Sequence, residues 1–221
     1  MAVRESSRHA DRVSGWVGDF TAGLLIGLVA GVLTLAAGWL ALRHGAASSW
    51  YLSRATGTVA YFLLSAATIW GLVLSSKIIK EGVPAPLALG LHSFLSWLAL
   101  ALAGLHGGLL LFDRYYQFGL ADILIPFRGP YRPFWTGLGI AGFYLGLLTS
   151  ASFSWRRRLG QRFWRALHSL TFLAYLLVTV HGLAAGTDSG ATGMRLLYVA
   201  SGLAVLFLVN YRLLSSSVSR R

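Results

Sequence analysis

The sequence contains no cysteine among its 221 residues. This absence excludes disulfide frameworks, thiolate zinc sites, iron–sulfur clusters, cysteine nucleophiles and the covalent attachment of c-type haem. Charge is also scarce, since charged residues make up 12% of the chain and hydrophobic residues 56%. So few charges cannot cover the surface of a water-soluble protein of this size. The composition therefore predicts an integral membrane protein in contact with lipid.

Acidic residues and lysine are rare as well. The chain has seven Asp and Glu against 19 Lys and Arg, two of which are lysines, and its formal net charge is +12. In an apolar chain, such a basic excess reflects membrane topology more often than nucleic-acid binding. We therefore expect the lipid bilayer, and no nucleic acid, as a partner. Arginine-rich, lysine-poor usage indicates a GC-rich bacterium, which predicts a multi-pass protein of the bacterial inner membrane.

Apolar windows of about twenty residues recur along the chain, each long enough to cross a hydrocarbon core of about 30 Å. They predict an all-α integral membrane fold, a six-transmembrane-helix bundle. The predicted spans are residues 20–42, 55–74, 87–112, 134–153, 163–185 and 194–214. Prolines or a Gly/Thr/Ser-rich turn precede the third, fourth and sixth spans. Residues 20–214 then form one domain between tails at 1–19 and 215–221.

Lys and Arg are distributed unequally between the two sides of the predicted bundle. Thirteen lie in the two tails and the loops on the same side, and six lie in the alternate loops. Positive residues are enriched on the cytoplasmic side of membrane proteins. Both termini are therefore predicted to be cytoplasmic, with the N-terminal tail retained. The third and fifth spans then both run outward from the cytoplasm.

Four of the six histidines lie within predicted spans, and the other two are expected to be exposed to solvent. The four are His92 and His106 on the third span, and His168 and His181 on the fifth. An ionisable residue inside lipid is costly, so each is a candidate functional residue. For any one of them, a hydrogen bond to a neighbouring carbonyl is the alternative explanation.

The spacing of these histidines is more specific than their presence. The second histidine follows after 14 residues on the third span and after 13 on the fifth, a rise of about 20 Å in each case. If the two helices face each other, His92 pairs with His168 and His106 with His181, which is the arrangement of axial ligands on haem iron. Two imidazoles leave zinc or copper short of ligands, whereas a porphyrin already supplies four nitrogens.

Helical geometry places a condition on this pairing. At about 100° per residue, 14 residues return to within about 40° of the same face, but 13 residues end about 140° away. The fifth span must therefore bend, contain a bulge, or present its two histidines in different directions. Glycines beside the outer histidines are expected to let backbone approach a macrocycle. They are Gly104, Gly107, Gly108 and Gly182.

Four short segments around these histidines carry a family resemblance. They read LHSFLSW at 91–97, GLHG at 104–107, ALHSL at 166–170 and VHG at 180–182. They resemble the ferric-reductase-like transmembrane domain, which is shared by NADPH oxidases, ferric reductases and MsrQ (YedZ), the haem subunit of a periplasmic methionine-sulfoxide reductase system. The resemblance covers about residues 50–187, and the paired histidine spacing is its specific part.

The resemblance implies roles for five residues. It makes His92, His106, His168 and His181 axial ligands of two b haems that pass electrons outward from the cytoplasmic side. Arg54, in the segment LSRATG at 52–57, resembles an arginine that the oxidases carry near the outer haem at the start of the second helix. A simple interfacial anchor is the alternative for Arg54.

The chain departs from complete enzymes of this family, which carry a C-terminal flavin and nicotinamide module. Here the sequence ends at Arg221, shortly after the last predicted span, and shows no glycine-rich phosphate loop. We therefore expect no NAD(P)H site, and FAD or FMN only through a partner. The predicted donor is a separate flavoprotein or membrane quinol, and the predicted acceptor is an extracytoplasmic protein such as a periplasmic reductase. The resemblance therefore implies an electron-transfer subunit and not a complete enzyme, most similar to the stand-alone MsrQ-like proteins.

Two alternative functions remain, and each of two loops has two interpretations. The outer haem could reduce dioxygen or ferric chelates directly, or the chain could be a haem-free transporter in which the histidines form hydrogen bonds.

The outer loop, residues 113–133, either lies partly in the membrane interface or simply caps the bundle. The inner arginines around 156–165 either attract anionic lipid, haem propionates or an acidic partner, or only reflect topology.

Overall fold

The computed structural model of the protein describes residues 32, 36, 39, 43, 46–76, 78 and 84–218, and none of these lies in a β-strand. The N-terminal tail and all but three positions of the first predicted span lie outside the described residues. Residues 219–221 of the predicted C-terminal tail lie outside them too. Five of the six predicted spans can therefore be compared with the structure.

Seven α-helices and one 3₁₀ turn make up the part of the chain that the structure describes in full. They are α1 (Ala46–Ser75), α2 (Ala85–Leu109), the 3₁₀ turn Leu110–Phe112, α3 (Leu120–Leu124), α4 (Pro133–Leu159), α5 (Gln161–Ser169), α6 (Thr171–Ala185) and α7 (Thr192–Val218). Within the described residues, five stretches are long and apolar enough to cross a membrane: Ser49–Ser75, Pro86–Phe112, Pro133–Leu159, Gln161–Ala185 and Thr192–Ser215. They coincide with the second to sixth predicted spans. The all-helical multi-pass architecture is confirmed, while the count of six and the orientation stay predictions.

Proline and glycine set several helix boundaries. Pro84 is the N-cap of α2, and Pro86 lies in its first turn. Pro133 is the first residue of α4, where its missing N–H would have no helical partner in any case. Gly160, at φ 78°, separates α4 from α5. Because L side chains disfavour positive φ, glycine suits this sharp change of direction.

The fifth predicted span is interrupted at Leu170. This residue belongs to neither α5 nor α6, and its N–H donates to the carbonyl of Leu167 at 3.1 Å. The hydroxyl of Thr171 donates to the carbonyl of His168 at 2.8 Å. The interruption lies between His168 and His181. The helix resumes at once, because the N–H of Ala174 donates to the carbonyl of Leu170 at 2.9 Å.

The long helices pack with α1 antiparallel to α2 and α4 antiparallel to α6, whereas α7 runs parallel to α1. Helix α1 packs mainly on α2, α4 mainly on α6, and α7 against α1. Small polar side chains are buried between them, whereas many large apolar side chains face outward, such as Leu203 at 62% exposure and Phe207 at 68%. Small residues at helix contacts and apolar residues outside are typical of helices surrounded by lipid. The buried small polar residues include Ser49, Ser53, Ser65, Thr149, Ser152 and Ser201.

A buried hydrogen-bonded cluster joins α1, α6 and α7 near their middles. The Tyr61 hydroxyl lies 3.0 Å from Ser201 Oγ and 3.3 Å from the hydroxyls of Tyr175 and Thr179. Tyr198 packs on Tyr61 with ring centroids 4.8 Å apart. Since buried polar groups need partners, the cluster fixes these three helices relative to one another.

Candidate functional site: two histidine pairs along one cavity

The structure brings the four predicted histidines together as two pairs. The ring centroids of His92 on α2 and His168 on α5 are 6.2 Å apart, and those of His106 on α2 and His181 on α6 are also 6.2 Å apart. The ring planes cross at 75° and 70°. Following the predicted orientation, we call His92 and His168 the inner pair, and His106 and His181 the outer pair.

Both pairs line one cavity of about 910 Å³. This volume lies at the upper end of the range of about 300–1,000 Å³ that is common for ligand and cofactor sites. The histidines of α2 are separated by 14 residues, or about 20 Å along the helix. One cavity therefore reaches both histidine pairs, which lie at two depths.

The separation within each pair fits two ligands on one central metal ion. An imidazole nitrogen binds a first-row metal ion at about 2 Å, and the ring centre lies about 1 Å behind that nitrogen, so two axial imidazoles place their centroids about 6 Å apart. Both observed separations are 6.2 Å. Among the described residues, no three His, Cys, Asp or Glu side chains converge as a bare metal ion would need. The residues present therefore fit a metal that brings its own equatorial ligands, as haem does.

A shared local construction holds the two histidines of α2. His92 Nδ1 lies 3.1 Å from the carbonyl oxygen of Ala67, and His106 Nδ1 lies 2.8 Å from that of Ser53. Each carbonyl belongs to the residue four positions before a glycine of α1. A Cβ added to Gly71 would lie 2.9 Å from His92 Cε1, and one added to Gly57 would lie 2.8 Å from His106 Nδ1. The missing side chain lets each imidazole approach the α1 backbone.

The same construction recurs between α4 and α6. His181 Nδ1 lies 2.9 Å from the carbonyl oxygen of Trp135, four residues before Gly139. A Cβ on Gly139 would lie 2.8 Å from His181 Cγ and from its Nδ1. A carbonyl oxygen can only accept a hydrogen bond, so Nδ1 carries the proton in all three rings. Each of these histidines therefore keeps the Nε2 lone pair, which can bind a metal ion.

His168 is held differently. Its Nδ1 is buried and has no hydrogen-bond partner among the described residues. Its ring stacks on Trp164 of the same helix, with centroids 5.2 Å apart and planes at 21°. His168 lies 13 residues before His181 in the sequence. On the antiparallel helix α4, the residue 13 positions after Gly139 is Ser152 and not a glycine. The inner pair thus combines one firmly oriented imidazole with one that lacks a carbonyl partner.

Sequence reasoning does not identify Gly57, Gly71 and Gly139 as the glycines that contact the imidazole rings. The spacing of two of them is nevertheless a signal that could have found them. Gly57 and Gly71 are 14 residues apart, the same spacing as His92 and His106. The glycines expected beside the outer histidines do line the cavity. Where their surroundings are described, these glycines lie next to other side chains or open space and not next to an imidazole ring. A Cβ on Gly107 would meet nothing within 4 Å, and one on Gly182 would meet Tyr198.

Arg54 lines the same cavity, and its guanidinium is paired with Asp188 in the loop between α6 and α7. Arg54 directly follows Ser53, whose carbonyl bonds His106, so the ion pair lies at the outer end of the site. Both side chains are about one-third exposed, at 34% and 33%. The pair joins the start of α1 to the outer loop before α7. The structure therefore gives Arg54 an acidic partner that its sequence neighbourhood does not reveal.

Arg54→Gln and Asp188→Asn are each expected to lower stability only slightly. A partly exposed ion pair contributes about 0.2–1 kcal/mol, which corresponds to a shift in Tm of at most about 4 °C for a protein of this size. Thermal unfolding in detergent measures the shift. The double variant should melt no lower than the less stable single variant, because both substitutions remove the same interaction. Additive losses would show that the two residues stabilise the fold separately.

The outer loop, residues 113–133, covers the outer end of the cavity. Its residues Phe118, Asp122, Ile123 and Leu124 line the cavity wall. The hydroxyl of Tyr131 donates to the carbonyl of Ala185 at 3.1 Å, and that of Tyr144 donates to the carbonyl of Leu124 at 2.6 Å. These contacts tie the loop to the middle of α4 and to the end of α6. The interface and capping interpretations of the loop both stay predictions.

The inner end of the cavity is basic. Arg165 of α5 and Arg212 of α7 line it near His168. Arg156 instead lies over the ring of Phe153, 3.7 Å from its centroid, and donates to the Phe153 carbonyl. Of the inner arginine group, only Arg165 therefore lines the site, together with Arg212 from a different helix.

Comparisons with protein-family models, with curated proteins and with solved structures find no match to this chain. The family resemblance therefore stays a prediction from the histidine segments, and functional inference depends on the geometry of the site.

Proposed function

We propose that this chain is a membrane cytochrome with two b haems, a multi-pass protein of the bacterial inner membrane similar to the ferric-reductase-like transmembrane domain. It carries electrons from a donor on the cytoplasmic side, a flavoprotein or membrane quinol, to an extracytoplasmic acceptor such as a periplasmic reductase. The observation that carries the proposal is the repetition of one geometry: two histidine pairs, each with centroids 6.2 Å apart, along one cavity.

The chain's own residues would hold, orient and enclose the cofactors. The Nδ1 hydrogen bonds of His92, His106 and His181 leave their Nε2 atoms available as ligands. Haem bound at each pair would supply one-electron redox chemistry. Apolar and small side chains of the cavity wall keep water away, and α2 supplies one ligand at each depth. No residue need act as a general acid or base in this function.

A sidedness experiment tests transport of electrons. Proteoliposomes are loaded with dithionite and placed in ferricyanide, which is confined to the outside. We expect the wild-type protein to bleach external ferricyanide much faster than protein-free vesicles. His92→Ala and His106→Ala, each lacking one ligand, should fall to the protein-free rate. Equal rates for wild type and protein-free vesicles would contradict electron transport.

Direct reduction of a small acceptor is the second candidate, because polar residues line the outer end of the cavity. They include Arg54, Thr187, Asp188 and Ser189. In the same vesicles, ferricyanide is replaced by air-saturated buffer or by a ferric chelate. Fast reoxidation of the reduced protein by oxygen or the ferric chelate alone supports direct reduction. Reoxidation that needs an added acceptor protein supports the electron conduit.

A further inference from the structure

The two histidine pairs differ in one ligand. At the outer pair, both rings bond a backbone carbonyl through Nδ1, at 2.8 Å for His106 and 2.9 Å for His181. At the inner pair, His92 has such a bond at 3.1 Å, while Nδ1 of His168 is buried without a partner in the described part of the chain. Three ligands therefore share one construction, and His168 is the exception.

A missing Nδ1 bond weakens an imidazole as a ligand. The hydrogen bond from Nδ1–H fixes the ring orientation and increases the electron density at Nε2. Loss of such an outer contact typically reduces metal affinity by about 10- to 100-fold. At His168 no carbonyl of the described residues supplies this contact, and the position matched by residue count on α4 is occupied by Ser152. The ring stacks on Trp164.

The segment that carries His168 forms the inner end of the span Gln161–Ala185, next to a local irregularity of the helix at Leu170. Helix α5 has nine residues, Gln161–Ser169, and it lies between Gly160 at φ 78° and the irregular residue Leu170. His168 is in its last turn, and Trp164 is on the same helix, so both rings would move together. The other three histidines lie inside the uninterrupted helices α2 and α6. His168 therefore differs from its three counterparts, because the helix is locally irregular next to it.

The cavity wall beside His168 is polar and basic. Ser154, Arg165, Ser169 and Arg212 line the cavity there. Ser169 and both arginines are exposed. At the outer pair, Gly57 and Gly139 are in direct contact with the rings, and the loop at 113–133 covers the end of the cavity.

We propose that His168 is an exchangeable axial ligand, and that the inner pair binds a neutral diatomic ligand of the carbon monoxide class while the outer pair does not. The inference rests on the proposed di-haem function. In the exchange, one iron–nitrogen bond to His168 breaks and one bond from iron to the diatomic ligand forms. No electron or proton is transferred, and His92 stays bound on the opposite side.

Carbon monoxide is the probe that tests this exchange. The purified wild-type protein is reduced with dithionite, and the spectral change on adding the gas is measured. About half of the haem should bind carbon monoxide. In His106→Ala, which keeps the inner pair, nearly all remaining haem should bind it, whereas in His92→Ala, which keeps the outer pair, almost none should. Absence of binding to a two-haem wild type, or binding that persists in His92→Ala, would overturn the proposal.

The amount of inner haem that each of the variants His168→Ala and His92→Ala loses is a second readout. His168→Ala should retain most of the inner haem in a five-coordinate, high-spin form on His92, while His92→Ala should lose it. Equal loss in the two variants would contradict the inference. A wild-type protein without haem would instead contradict the proposed function itself, so the two failures are distinguishable.

Discussion

His92→Ala and His106→Ala are each expected to reduce the haem content of the purified protein from about two per chain to about one. Each histidine supplies a ligand at one depth, with its partner imidazole at a centroid distance of 6.2 Å in both cases. The two sites are about 20 Å apart on α2, so loss of one should leave the other filled. A pyridine haemochrome assay, normalised to protein, measures the ratio.

Double substitutions test which histidines belong together. His92→Ala combined with His168→Ala empties only the inner pair, so about one haem per chain should remain. His92→Ala combined with His106→Ala removes a ligand at both depths, so almost none should remain. Almost no haem in either double variant, as a pairing of His92 with His181 predicts, would contradict the proposed pairs. His9→Ala, outside the described residues and in the predicted tail, is the control and should leave the content unchanged.

Gly71→Ala and Gly57→Ala are expected to weaken haem retention about tenfold or more. The added methyl group would lie 2.9 Å from His92 Cε1 or 2.8 Å from His106 Nδ1, so the ring must move away and lose its bond to the Ala67 or Ser53 carbonyl. Loss of such a bond typically costs about 10- to 100-fold in metal affinity. Haem content after gel filtration, and transfer of haem to an added apo-acceptor, measure retention.

Two other glycines provide matched controls. A Cβ on Gly90 of α2 or on Gly202 of α7 would meet nothing within 4 Å. In all four variants, alanine favours the helix by about 1 kcal/mol relative to glycine, so helix propensity cannot explain a difference between them. Gly90→Ala and Gly202→Ala should retain haem as the wild type does. Equal retention in Gly71→Ala and Gly90→Ala would show that the close approach of His92 to α1 is unnecessary for ligation.

Much of the architecture is readable from the sequence because it depends on local physical signals. Apolar length predicts the second to sixth spans, and Pro84, Pro86 and Pro133 mark where α2 and α4 begin. The thirteen-residue spacing on the fifth span predicts a bend, a bulge or histidines that point in different directions, and the structure has a one-residue helix interruption between them, at Leu170. The pairing of the histidines follows from their matched depths. The spans extend beyond their predicted ends, since apolar length does not fix where a helix stops in the interface.

Contacts between distant parts of the chain account for what the sequence does not reveal. Asp188 lies 134 residues from Arg54, and only the folded connection of α6 to α7 brings them together. The glycines that receive the imidazoles are on α1 and α4, not beside the histidines. To identify these glycines, one must know which residues of α1 face α2 and which residues of α4 face α6. The different environment of His168 depends on that same register, which is not known before the helices are packed.

The most direct test of the central claim is the haem content and optical spectrum of the purified wild-type protein, oxidised and reduced. We predict about two b haems per chain with sharp low-spin bands, as expected for two imidazoles on each iron. A folded, colourless protein that takes up no added haem would contradict the account. It would leave the four histidines as hydrogen-bonding residues of a transporter.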